Sequence, residues 1–130
     1  MVRRMTQTHY DFCVAAGQPS GRDATGGGQQ WAASALYTCR LVADGSAIDI
    51  VSSTELPSTP PGYITLARTR SGEQMLYVTS GKEVRWFSID NQNELTPLGS
   101  VPTGTESASH LCTDPDGRLL FTANYGSGSV

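Results

Sequence analysis

The apolar positions of this chain come in short bursts that alternate with polar ones, and turn-forming residues stand between the bursts. The runs fall at 10–16, 34–42, 48–54, 64–68, 75–79, 84–90, 95–101, 111–113 and 119–125. In the run 34–42, Leu36, Thr38 and Arg40 fall on one side, and Tyr37, Cys39 and Leu41 on the other. Gly, Pro, Asn or Asp separates most runs, as at Asp44-Gly45 and Asp116-Gly117. A period of two bounded by turn formers is the pattern of half-buried β-strands. No window of helical length repeats its apolar residues every 3.6 positions, so the pattern predicts an all-β fold with almost no helix. The segment 17–33 breaks the rhythm with Pro19 and Gly26-Gly27-Gly28 and reads as a flexible surface loop. It does not read as a phosphate cradle, because a P-loop sets Gly-Lys-Ser/Thr at the head of a helix.

The strand set repeats. Leu36-Tyr37-Thr38-Cys39-Arg40-Leu41 aligns with Val84-Arg85-Trp86-Phe87-Ser88-Ile89, 48 positions later, and 48–51 aligns with 95–98 at an offset of 47. The segment 76–80 matches 120–124 at 44, and Tyr63-Ile64 falls on His110-Leu111 at 47, the difference being a longer hairpin around 68–74. β units recurring every 40 to 50 residues or so point to propeller blades of four strands. One blade cannot bury both of its faces, and stacking around a central axis supplies the missing contacts. On this reading 1–9 is a tail, 10–56 a partial blade without its innermost strand, 63–103 a full blade and 109–130 a truncated blade. The fold class is therefore all-β, a partial β-propeller of about two and a half blades, where closed rings use four to eight. Exposed strand edges predict self-association.

Composition narrows the partners. The 130 residues suffice for one small domain, and 9 basic against 12 acidic residues give a net charge of −3. No basic stripe exists for nucleic acid. No apolar run reaches membrane-spanning length, so no membrane association is expected. Met1-Val2-Arg3-Arg4 is basic but has no apolar stretch before Tyr10, so a secretory signal is not expected and the cytoplasm is the expected location. Cys13, Cys39 and Cys112 are odd in number with no C-x-x-C spacing and read as reduced, partly buried thiols. His9 and His110 supply no ligand spacing with them, and no metal is expected. Asp114-Pro115-Asp116-Gly117 is a turn signal, too short for a calcium loop.

At the last unit a family resemblance becomes specific. His110-Leu111-Cys112-Thr113-Asp114-Pro115-Asp116-Gly117-Arg118-Leu119-Leu120-Phe121-Thr122-Ala123-Asn124-Tyr125-Gly126-Ser127-Gly128-Ser129-Val130 resembles a signature stretch of the seven-bladed propeller lactonases. That family includes bacterial 6-phosphogluconolactonases and fungal carboxymuconate lactonizing enzymes. Phe87-Ser88-Ile89-Asp90 and Leu95-Thr96-Pro97-Leu98-Gly99 are similar to its outer strands, as is 37–41 followed by 51–54. The resemblance runs from about Tyr10 onward, the Gly-rich segment excepted, and matches the N-terminal part of longer family members. Two departures stand out: Thr105-Glu106-Ser107-Ala108-Ser109 before the histidine has neither residue of the family's frequent Gly-Pro pair, and the second unit's hairpin is long.

The resemblance implies a lactonase-like ring that hydrolyses or forms a sugar-acid lactone such as 6-phosphogluconolactone. It implies no cofactor, and a small-molecule lactone or a carboxylate- or phosphate-bearing sugar acid as partner. Further charged site residues would come from later blades, which makes the isolated 130-residue chain inactive. A carboxymuconate cycloisomerase, a non-catalytic propeller binding module and a truncated gene product remain as alternatives, since fold alone does not separate them.

Opening a lactone needs a water, a group to take its proton, and donors for the carbonyl oxyanion. Histidine suits the proton transfer at neutral pH. His110 begins an innermost strand, where a propeller presents residues to its central channel, and the resemblance puts a proposed catalytic histidine at that place. Two readings of His110 stand: catalytic acid/base, or a structural histidine bonded to nearby backbone. Asn124 and Tyr125 follow strand two near the same end and are the substrate-binding candidates. Asn124 either donates to a substrate oxygen or caps the bend at 126–128. Arg118 sits at the opposite, hairpin end and reads as a turn residue, while Arg85 and Trp86 read as packing and surface positions.

Overall fold

The computed structural model describes residues 9–22, 29–56, 60–104 and 108–130, with side chains described except at 18–22 and 29–32. Among the described residues the strands are β1 (His9–Arg22), β2 (Gln29–Val42), β3 (Ile48–Leu56), β4 (Pro61–Arg68), β5 (Gln74–Ser80), β6 (Glu83–Ile89), β7 (Leu95–Pro102), β8 (His110–Thr113) and β9 (Leu120–Ala123), with no helix. They form three antiparallel meanders in chain order: β1-β2-β3, β4-β5-β6-β7 and β8-β9. The expected all-β, partial-propeller class holds. Among the described residues no helix is long and apolar enough to cross a membrane.

The sequence repeat is reproduced down to its irregularities. In the first sheet the β2–β3 ladder shifts register between Thr38 and Cys39, leaving Val51 unpaired; in the middle sheet the β6–β7 ladder shifts between Trp86 and Phe87, leaving Leu98 unpaired. These positions are related by the same offsets of 48 and 47 that align the strands. A bulge adds twist and re-aims the strand, so its recurrence gives both sheets the same curvature. The turns recur as well. Gly45 N donates to Val42 O (2.8 Å) and Asn93 N to Asp90 O (3.1 Å), with Gly45 and Asn93 both at positive φ. Following the registers, β1 is the counterpart of β5, Phe12 matching Leu76 and Val14 matching Val78.

Strand alternation makes the middle sheet apolar on both faces. Leu76, Val78, Phe87 and Leu95 point one way and pack on Leu36 and Leu56 of the first sheet, with Cys13, Ala15, Ile64 and Ile89 at the margin. Val84 points the other way and packs with Ala108 and Leu111, flanked by Tyr63, Tyr77 and Leu120. Burying each such Leu or Phe stabilises by about 1.5–3 kcal/mol. Gly99 is small for a reason: a Cβ there would come within 2.7 Å of the Trp86 ring, which lies across the β6–β7 ladder.

The expected loop over 17–33 is corrected in part. Strand pairing continues through Gly17 opposite Ser34 to Arg22 opposite Gln29, and only 23–28 lies outside the described residues. Glycine and proline argue against strand in isolation, but β1 is the edge of its sheet and its register shifts on both sides of Pro19. An edge bulge is the setting in which a strand accepts proline, because no ladder N–H is required there. The cysteines are free, as expected, but differ in setting: Cys39 is buried, Cys13 half-buried and Cys112 exposed. Burial pushes the Cys13 thiol up, with the neighbouring Cys39 adding to the shift.

Polar tethers join neighbouring sheets. Asp11 on β1 accepts from Arg40 Nε at 2.8 Å and Nη2 at 3.1 Å, and from Asn93 Nδ2 of the middle sheet's β6–β7 turn at 2.7 Å. The Arg40 hydrogen bond first, then Asn93 and the charges of Arg40 and His9, hold the Asp11 carboxyl below the ordinary carboxylate value against desolvation. A depressed folded pKa contributes stability above the unfolded value, about pH 4, and loses it as pH falls through the folded value. Thermal melts from pH 6 to 2 should therefore show wild type losing more stability on acidification than Asp11→Asn; parallel curves would contradict the tether. The hairpin tips are tied as well: Arg70 Nη2 donates to Asp116 Oδ2 at 3.2 Å. Gly117, at φ +64°, sits where a Cβ would press on Arg68 O at 3.0 Å.

Candidate functional site

The site is set by the strand that carries it. Leu111 is buried against Val84 and Ala108 of the core, which pins β8 to the middle sheet. Ser109 N donates to Ala123 O at 2.8 Å, and His110 pairs with Ala123 in the β8–β9 register. Alternation then turns His110 to the face opposite Leu111, where it is exposed. β8 lies beside β4, and the His110 imidazole meets the Tyr63 ring with centroids 4.4 Å apart and planes tilted 43°. Such an offset, tilted pair is favourable and restrains the imidazole. Tyr63 is itself held: its N donates to Thr79 Oγ1 at 2.7 Å, where a register shift between Pro61 and Ile64 interrupts the ladder. Thr79 is fully buried, so this hydroxyl is a fixed acceptor.

Tyr63 is the residue that sequence reasoning missed. The signal was present in the repeat, which aligns Tyr63 with His110 at an offset of 47. Equivalent residues of adjacent innermost strands are spatial neighbours around a propeller axis, and these two touch.

Asn124 and Tyr125 lie at the same end of the β8–β9 hairpin as His110, but they do not converge on it. Asn124 is buried, and alternation sends it to the face away from His110. Its N donates to Ser129 O at 2.9 Å, its Nδ2 to Ser129 Oγ at 3.1 Å, and its O accepts from Gly128 N at 2.9 Å. These bonds close the turn, with Gly128 at positive φ. Asn124 Oδ1 is buried without a hydrogen-bond partner. Tyr125, next along, projects into solvent.

Arg118 is at the other end of the hairpin, with Nε 3.9 Å from Asp114 and 3.8 Å from Asp116. Asp114 Oδ1 accepts from Arg118 N at 2.6 Å and Leu119 N at 2.8 Å. The Leu119 backbone N–H is the largest cause holding the Asp114 carboxyl below its usual range. Arg85 Nη2 donates to Glu83 Oε2 at 2.6 Å within β6. No group of three His, Cys, Asp or Glu side chains among the described residues is placed to hold a metal. The arrangement can therefore offer an exposed imidazole for proton transfer, braced by the half-buried Tyr63 ring.

Comparison with known proteins gives a family-model match, "Lactonase, 7-bladed beta-propeller", over residues 25–130. The chain is 32% identical over 97 residues to a 6-phosphogluconolactonase of Pectobacterium atrosepticum, covering 73% of this chain and 27% of the relative. It is 38% identical over 72 residues to a 6-phosphogluconolactonase of Pectobacterium carotovorum subsp. carotovorum, covering 54% of this chain and 21% of the relative. The chain thus spans about a quarter of the length of these curated relatives. No solved structure matches it significantly.

Proposed function

Because this chain belongs to the seven-bladed β-propeller lactonase family, we propose that it carries the proton-transfer part of a site that hydrolyses a sugar-acid lactone, 6-phosphogluconolactone being the favoured substrate. The observation that carries the reading is the exposed His110 imidazole braced on Tyr63 at the heads of two adjacent inner strands. In this scheme His110 takes a proton from water as the water oxygen attacks the lactone carbonyl. The carbonyl π electrons move to oxygen, giving a tetrahedral oxyanion. Collapse breaks the bond to the ring oxygen, and His110 returns the proton to it, leaving a free hydroxyl and a carboxylic acid that ionises. The reaction needs no redox or group-carrying cofactor. Tyr125 offers its ring to the sugar, and Asn124 acts through the turn it closes.

The oxyanion donors and the cationic clamp that a phosphate-bearing substrate calls for are assigned to propeller sequence of the kind that the relatives carry beyond the matched segment. The 130-residue chain alone is accordingly expected to be inactive. The reading places the protein in carbohydrate metabolism, in the cytoplasm. A chimera tests it: residues 25–130 replace the matching segment of the Pectobacterium atrosepticum relative. Hydrolysis of 6-phosphogluconolactone by the folded chimera is the expected result. A folded chimera that leaves the lactone intact contradicts the reading.

A further inference from the structure

The entry to β4 departs from its repeat counterpart in a way that aims Tyr63. In the β8–β9 sheet the ladder runs evenly through His110 opposite Ala123 and Leu111 opposite Thr122. The offsets of 47 and 44 map these pairs onto Tyr63 with Thr79 and Ile64 with Val78. Ile64 does pair with Val78, but the next pair is Pro61 with Ser80. β4 thus takes three steps where β5 takes two, and the extra residue falls at Gly62-Tyr63. A bulge of this kind re-aims a side chain and takes backbone groups out of the ladder. The Tyr63 N–H is bonded instead to the Thr79 hydroxyl, which accepts it at 2.7 Å. In β9 the matching residue is Ala123, which has no hydroxyl and accepts from Ser109 N through its backbone O at 2.8 Å. Thr79 is fully buried, and a β-branched side chain is stiff at χ1, so its oxygen is held in place. The Tyr63 ring packs on the cluster of Val84, Ala108 and Leu111 and also meets the His110 imidazole.

We propose that Thr79 is a positioning residue for His110: its hydroxyl fixes the bulge, the bulge fixes the Tyr63 ring, and the ring holds the imidazole in the orientation used for proton transfer. Thr79 acts through Tyr63 and takes no part in the chemistry. The effect on rate rests on the lactone-hydrolysis reading above, whereas the effect on imidazole geometry does not. A residue without a hydroxyl at 79 leaves the Tyr63 N–H without its acceptor, and relieving an unmade bond of this kind moves the backbone of the bulge. A misplacement of about 1 Å is enough to cost about 10²-fold in rate.

NMR of the isotope-labelled chain tests the geometry. The Tyr63 ring should displace the His110 imidazole proton resonances from their free-histidine positions, and Tyr63→Leu should abolish the displacement. Thr79→Val, which keeps the shape and removes the hydroxyl, should lose most of it, while Thr79→Ser should keep most of it. In the chimera described above, Thr79→Val should lower kcat by about 10–10²-fold while KM stays within about twofold. Thr79→Ser should restore most of kcat. A merely structural threonine would alter the melting temperature and leave kcat of the folded enzyme alone. Wild-type imidazole resonances in Thr79→Val, or full kcat of that variant in an active chimera, overturns the proposal. An inactive parent chimera contradicts the lactonase reading alone, and the imidazole resonances then decide the positioning claim. Should Thr79→Val fail to fold, hydrogen exchange in the wild-type chain decides: a protected Tyr63 amide is expected, and one that exchanges as freely as an exposed loop overturns the assignment.

Discussion

Leu76→Ala should lower the melting temperature by about 10 °C or more, while Leu66→Ala should move it by only a few degrees. The two leucines are cross-strand partners in the β4–β5 ladder. They share one face of the middle sheet, yet Leu76 is 0% exposed and Leu66 57%. Truncating a fully buried leucine removes its transfer free energy and leaves a cavity, costing about 2–5 kcal/mol. That is a large share of the 5–15 kcal/mol or so that typical domains possess. Truncating the exposed partner leaves no cavity. The contrast isolates sheet stacking from strand pairing, since both variants keep the backbone ladder. Equal shifts for the two would mean that the first sheet does not cover Leu76.

His110→Ala, placed in the chimera that restores a full-length propeller, should reduce kcat by about 10²–10⁴-fold, the usual worth of a positioned acid/base. Melting temperature should stay within a few degrees, because the imidazole is exposed and its neighbour Leu111 carries the burial. The opposite pair of outcomes, full kcat with a lowered melting temperature, belongs to the structural-histidine reading. Tyr63 enters the same comparison as a positioning residue, since it touches the imidazole and not the reacting atoms in this scheme.

Much of the fold was legible because the repeat writes the same physics twice. Alternating apolar positions located the strands, and the offsets of 48, 47 and 44 anticipated which residues occupy matching places in successive sheets. The recurrence of the bulge at Thr38/Cys39 and Trp86/Phe87 lay beyond that reading, since no residue type announces it. The extension of β1 and β2 through 17–22 and 29–33 was hidden because edge-strand status, which excuses Pro19, is a property of the sheet and not of the local sequence. Contacts between sheets were the least legible. Asp11 and Asn93 are 82 positions apart, and neither carries a mark of the other until the two sheets stack. At the site, the position of His110 on an inner strand was readable. The division of Asn124 and His110 onto opposite faces was not, because it depends on which residue of the turn ends the ladder.

The central claim is that consecutive sheets stand side by side about one axis, so that β4 and β8 are neighbours with His110 against Tyr63. A nuclear Overhauser spectrum of the isotope-labelled chain measures this directly. Ring centroids 4.4 Å apart predict strong cross-peaks between the Tyr63 ring protons and the His110 imidazole protons. If both rings are assigned, the strand-pairing cross-peaks of β8 and β9 are present, and no Tyr63–His110 cross-peak appears, the two inner strands are not neighbours and the account is wrong.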